Sequence, residues 1–201
     1  FENGFRGMNY LDEENAYFYY PFSLYSAGHA ERNLSKAAGR EPMVHNRDKQ
    51  KTILVGDSGG FQVASGVTKV DWTKVKGPEW DLFVEETLRF LESSFDWSMT
   101  LDIPAIAATD KFQKKTGLKH FDQPLDVTLH NLHYFMKNRI PHKTKFLNVL
   151  SGSSPENSRI WYEGVKHFSD INSVEAMGYK PESTLEGFAF AGINMRNMSC
   201  T

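Results

Sequence analysis

Lys51-Thr52-Ile53-Leu54-Val55-Gly56, followed at once by Asp57-Ser58-Gly59-Gly60-Phe61-Gln62, is the stretch that decides the fold. A short β-branched apolar run that stops at an acid, a hydroxyl and two glycines reads as a buried strand opening into a loop. Downstream, Pro78 to Ser94 reads as a helix, with Pro78 in its first turn and Trp80, Phe83, Val84, Thr87, Leu88 and Leu91 at three- and four-residue steps. Phe95 to Leu101 alternates as a strand and ends at Asp102-Ile103-Pro104. A helix over about Pro124 to Arg139, a strand over Phe146 to Leu150 ending at Ser151-Gly152, and a helix capped by Ser154 and started by Pro155 repeat the pattern. Gly187 to Ala191 supplies a further strand, ending at Gly192.

Strands alternating with helices predict parallel pairing through right-handed crossovers, hence an α/β fold. The strand ends Asp57, Asp102, Ser151 and Gly192 lie 45, 49 and 41 residues apart, and each is polar or glycine. In a (β/α)8 TIM-type barrel and in an open doubly wound sheet alike, such positions line the active site. No glycine-rich dinucleotide fingerprint and no P-loop is present, which favours the barrel. A barrel takes about 250 residues, so the expectation is a single domain over residues 1–201 that is an incomplete barrel, beginning at Phe1 and stopping at Thr201 without a capping pattern.

Composition narrows the function classes. With 40% hydrophobic and 24% charged residues the chain has the makings of an ordinary packed core. Its longest apolar stretch, Ile103 to Ala108, falls far short of the roughly 20 residues of a membrane span. The lone cysteine, Cys200, forms no intrachain disulfide and fits a reducing, cytoplasmic setting. A net charge of -2 means that any nucleic-acid partner is held by a local basic patch. Lys111, Lys114, Lys115 and Lys119 offer one, or a plain solvated loop. The aromatic run from Tyr17 to Phe22 reads as a first barrel strand or as a stacking surface for bases.

Gly56-Asp57-Ser58-Gly59-Gly60 also spells the nucleophile motif of chymotrypsin-like proteases. The context excludes that reading: those enzymes are all-β, and their histidine lies far further upstream than the 29 positions separating His29 from Ser58. Read as Asp-Ser-Gly-Gly-Phe-Gln after a parallel strand, the segment closely resembles the signature of the tRNA-guanine transglycosylases. These (β/α)8-barrel enzymes exchange guanine in a nucleic acid for a 7-deazaguanine. Two glycines suit close approach of a flat heterocycle, Phe61 can lie on its face, and Asp57 puts a carboxylate at the barrel mouth.

The resemblance extends over roughly Ile53 to Met195. It implies that Asp102, in Leu101-Asp102-Ile103-Pro104, reads the Watson-Crick edge of guanine, whose N1-H and exocyclic amine a carboxylate can accept. Where the family has Val-Gln-Gly this chain has Leu150-Ser151-Gly152, so the contact to the base changes there. Gly187-Phe188-Ala189-Phe190-Ala191-Gly192 is similar to the family's last base-binding strand, with Gly192 offering its backbone and Ala191 replacing a glycine. The resemblance thus assigns Asp57 as the catalytic proton carrier, and Ser58, Gly59, Gly60, Phe61, Asp102, Ser151, Gly152 and Gly192 as substrate-binding. It puts the nucleophilic aspartate and a zinc site of three cysteines and a histidine beyond Thr201, with no cofactor or metal within this chain. It implies tRNA or DNA and a 7-deazaguanine base as partners, with a homodimer left open. Two rivals remain: a non-catalytic nucleic-acid-binding subunit, and a barrel glycosidase using Asp57 and Asp102. His130 and His133, three residues apart on a helix, are read as a weak metal pair or as surface histidines.

Overall fold

The computed structural model describes residues 9–14, 18–36 and 42–168. Strand β1 spans Phe22–Ser26, β2 Ile53–Asp57, β3 Trp97–Met99 and β4 Lys145–Leu147. They form one sheet in the order β1-β2-β3-β4, every neighbouring pair parallel. Helix α1 is Pro42–His45, α2 Gly60–Ser65, α3 Pro78–Ser94, α4 Gln113–Thr116, α5 Asp122–Asn138 and α6 Pro155–Val165. The α/β class and the parallel pairing follow the sequence expectation. Among the described residues the sheet has four strands and two open edges, β1 and β4. The segment Gly187 to Gly192 lies outside the described residues.

The two long helices arise from their apolar stripes. Helix α3 begins on Pro78 with Glu79 and Asp81 in its first turn, where acids favour the exposed amides, and buries Trp80, Val84, Leu88 and Leu91. Helix α5 begins two residues before the expected Pro124, because proline is tolerated throughout the first turn and Asp122 supplies the acid there. Helix α6 is capped as expected: Ser154 Oγ accepts the amide of Asn157 at 3.1 Å. Strands β3 and β4 are shorter than their apolar runs. Leu101 and Leu150 are still buried, but they lie past the end of the ladder, in the loops that carry Asp102 and Ser151.

The sheet has one fully covered face and one that is open at its β1 edge. Register pairs Gly56 with Ser98 and Ser98 with Phe146, and these residues, with Leu54, are fully buried beneath α3 and α5. Phe146 meets Phe135 of α5 edge-on at 5.4 Å, and a Cβ on Gly56 would lie 2.9 Å from Leu91 of α3. The opposite face carries Phe22, Leu24, Ile53, Val55, Trp97, Met99 and Leu147, of which Phe22 and Leu24 are about half exposed while Met99 and Leu147 are buried. Side chains alternate along a strand, so Asp57 shares this open face with Ile53 and Val55.

Two polar anchors hold the layers together. Buried Arg47 donates to Thr52 O and to Asp96 Oδ2, while the same Asp96 oxygen accepts the amide of Leu54 at 2.8 Å, tying the start of β2 to the approach of β3. Asn131 of α5 accepts Trp80 Nε1 at 2.8 Å and donates to Leu101 O at 3.0 Å, joining both helices to the exit of β3. Asn131→Ala leaves that indole N-H and that carbonyl unsatisfied in the core. We expect a loss of about 2 to 4 kcal/mol in urea unfolding, against less than about 0.5 kcal/mol for a substitution at exposed Lys137. Equal midpoints for the two variants would refute the anchor.

Candidate active site

The site grows from the carboxyl ends of β1, β2 and β3. Asp57 closes β2 opposite Ser26 of β1, and its carbonyl accepts the amide of Ala27 at 2.8 Å. The chain then turns through Gly59 at φ 82°, a left-handed conformation that favours glycine, into α2. A Cβ on Gly59 would lie 2.5 Å from Gly28 N, and one on Gly60 would lie 1.9 Å from Asp102 O. The sequence reading gave the room beside these glycines to a bound heterocycle. In the structure protein fills it: Gly59 admits the β1 loop and Gly60 admits the backbone of Asp102.

This contact unites the two acids. Asp102 is buried past the end of β3, and its pKa rises to about 7, first through burial and second through the nearby charge of Asp57. Ser58 is buried as well, and its hydroxyl has no hydrogen-bond partner among the described residues. The same holds for Oε1 of Gln62, whose Nε2 lies 3.2 Å from His29 Nε2. Both atoms are enclosed by protein.

The remaining expected residues fall in different surroundings. Ser151 is buried, and its hydroxyl accepts the amide of Ala105 at 2.9 Å, so it clamps the loop that carries Asp102. Gly152 packs on α6, where a Cβ would meet Ser158 Oγ at 2.4 Å. Phe61 is half exposed and stands edge-on to Phe112 at 6.0 Å. Gly192 lies outside the described residues.

Sequence reasoning missed the loop after β1. Gly28 packs against the side chain of Gln62, and Thr68 Oγ1 donates to Gly28 O at 3.2 Å, so His29 reaches the motif through this loop. The only signal available was a glycine and a histidine after a strand that was itself poorly marked. No group of three or more His, Cys, Asp or Glu side chains able to hold a metal occurs among the described residues. His130 is bonded to Asp81 Oδ1 at 2.7 Å, and His133 packs edge-on against Phe168 at 4.8 Å. No described helix is long and apolar enough to cross a membrane. Family models, curated proteins and solved structures give no match to this chain.

Two expectations follow from the paired acids. Asp102 holds its proton in the folded state to about pH 7 but loses it near 4 when unfolded, so folding is favoured below pH 4 and this contribution disappears as pH rises through 7. The span corresponds to something on the order of 4 kcal/mol. Asp102→Asn should remove that slope, being close to wild type in urea stability at pH 4.5 and more stable at pH 8; parallel pH profiles would refute the buried acid. Gly60→Ala should separate α2 from the Asp102 loop and cost about 1 to 3 kcal/mol as an overpacked contact, and an unfolding midpoint like that of wild type would show that the contact is loose.

Proposed function

We propose that the chain is part of a base-exchange transglycosylase that replaces guanine in tRNA or DNA with a 7-deazaguanine, on a (β/α)8 barrel of which β1 to β4 form four consecutive units. The observation that carries this reading is the Asp57–Asp102 pair, held at adjacent carboxyl strand ends by Gly60 against Asp102 O. Three features support the barrel: the unbroken strand order, the parallel pairing, and apolar side chains exposed at β1 and the start of β2 on the side bearing Asp57. A doubly wound sheet reverses its strand order at a switch point, whereas a barrel adds each strand beside the last.

The chemistry demands two kinds of carboxyl group. A carboxylate attacks C1′ of the ribose, the bond from C1′ to the base breaks, and the departing guanine takes a proton. The incoming 7-deazaguanine gives up its N9 proton and displaces the carboxylate, so the configuration is retained after two inversions. In this scheme Asp57 carries the proton in both halves, Asp102 accepts hydrogen bonds from the guanine edge, and Ser58 Oγ donates a further one. The nucleophile in this scheme is a third carboxylate, the role that the resemblance gives to an aspartate on a later strand. A barrel glycosidase is the second reading, favoured by the same two carboxyls, one of them holding a proton near neutral pH.

Asp57→Asn in the full-length protein should fold normally and exchange labelled guanine in tRNA or DNA against a 7-deazaguanine about 10²- to 10⁴-fold more slowly than wild type. Near-normal exchange by the folded variant removes Asp57 from the mechanism. Hydrolysis of simple glycosides by a wild-type protein that leaves guanine in place would favour the glycosidase.

A further inference from the structure

We propose that Lys111, Lys114 and Lys119 bind the phosphate backbone of the nucleic-acid strand whose base enters the Asp57–Asp102 mouth. The inference rests on the function proposed above and adds the surface that holds the polymer.

Placement is the first argument. The excursion from Thr109 to Lys119 leaves the β3 exit a few residues after Asp102 and is fastened to the motif helix α2. Buried Phe112 meets Phe61 edge-on at 6.0 Å, and Lys115 Nζ donates to Ser65 O at 2.7 Å at the end of α2. Thr116 Oγ1 closes the excursion on Ala107 O at 2.8 Å. The lysines therefore stand on a fixed platform one helix away from the contact between Gly60 and Asp102.

Charge is the second. Residues 111–119 contain four lysines and no acid, and the preceding Asp110 is occupied by Gln113 Nε2 at 2.6 Å. Lys111, Lys114 and Lys119 are exposed, and none pairs with a carboxylate among the described residues; Lys111 Nζ lies over the Phe112 ring at 5.2 Å. Lys51, Lys74, Lys76 and Lys166 each pair with an acid; what sets residues 111–119 apart is four lysines within nine positions. With Asp110 as the one acid beside them, the four lysines keep a local excess of positive charge, and a polyanion relieves their mutual repulsion while its condensed counterions are released. In a chain of net charge -2 this is a local field beside the acids. A nucleic-acid strand is favoured over an anionic membrane because the function proposed above takes its base from a polynucleotide.

The test is binding of a labelled single-stranded oligonucleotide across a salt series, comparing the wild-type protein with Lys111→Ala/Lys114→Ala/Lys119→Ala. The triple variant should bind roughly tenfold or more weakly, with a slope of log affinity against log salt shallower by about 2, the value for three lysines on a single strand. Its calorimetric affinity for a free 7-deazaguanine should match wild type. Wild-type affinity and slope in the triple variant would overturn the proposal, as would a wild-type protein that binds anionic vesicles through these lysines and no oligonucleotide. Lysine-dependent binding without base exchange would leave this surface standing and remove the transglycosylase reading. Base exchange untouched by the triple variant on an oligonucleotide would do the reverse.

Discussion

The carboxyl edge of the sheet depends on how closely α2 approaches the Asp102 loop. A hydrogen in place of a methyl group at Gly60 lets the helix rest on the carbonyl of Asp102, and the left-handed turn at Gly59 aims the helix there while leaving room for the β1 loop. Three successive strand ends are thereby packed into one unit. The clamp from Ser151 to Ala105 fixes the same loop from the β4 side. Asp102 is thus enclosed by its neighbours on both sides, and its raised pKa follows from that enclosure before any charge is considered.

The two faces of the sheet divide the work. The covered face is a dry layer of Leu54, Gly56, Ser98 and Phe146 under α3 and α5, and it gives the strands their positions. The open face carries large apolar side chains at β1 and β2 and ends in Asp57. Exposed apolar area of this kind is rare on a surface facing only water and marks a place where further structure or a ligand sits. Barrel closure would convert it into the layered interior of parallel barrels, and Asp57 would then stand above a low-dielectric floor.

Legibility tracked the range of the forces involved. Helix α3 was readable to the residue because a proline, two early acids and a complete apolar stripe all act locally. Strand β1 was not, because its apolar residues Phe22 and Leu24 are the exposed ones, so its hydrophobic pattern marks the open face and not the core. The ends of β3 and β4 were overextended since burial continues past the ladder, and apolar runs report burial rather than pairing. At the site, the acids and glycines were visible as residue types at strand ends. The partners of Gly59, Gly60 and Ser151 were not, because each lies dozens of positions away and is brought near only by the crossovers.

Under the proposed function the burial of Asp102 has a thermodynamic consequence. Guanine offers two donors on its Watson-Crick edge, and only the ionised carboxylate accepts both. A carboxyl that carries its proton up to about pH 7 must therefore release it when the base binds, and the base repays the desolvation that raised the pKa. Binding then strengthens as pH rises toward 7 and levels off above it, where the acid is already ionised in the free protein. Adenine, with an acceptor at N1, meets the protonated form better, so the same proton that weakens guanine binding at low pH also erodes the discrimination between the two purines. Selectivity for guanine is in this sense a property of the charge state of Asp102, set by how tightly Gly60 and Ser151 close the loop around it.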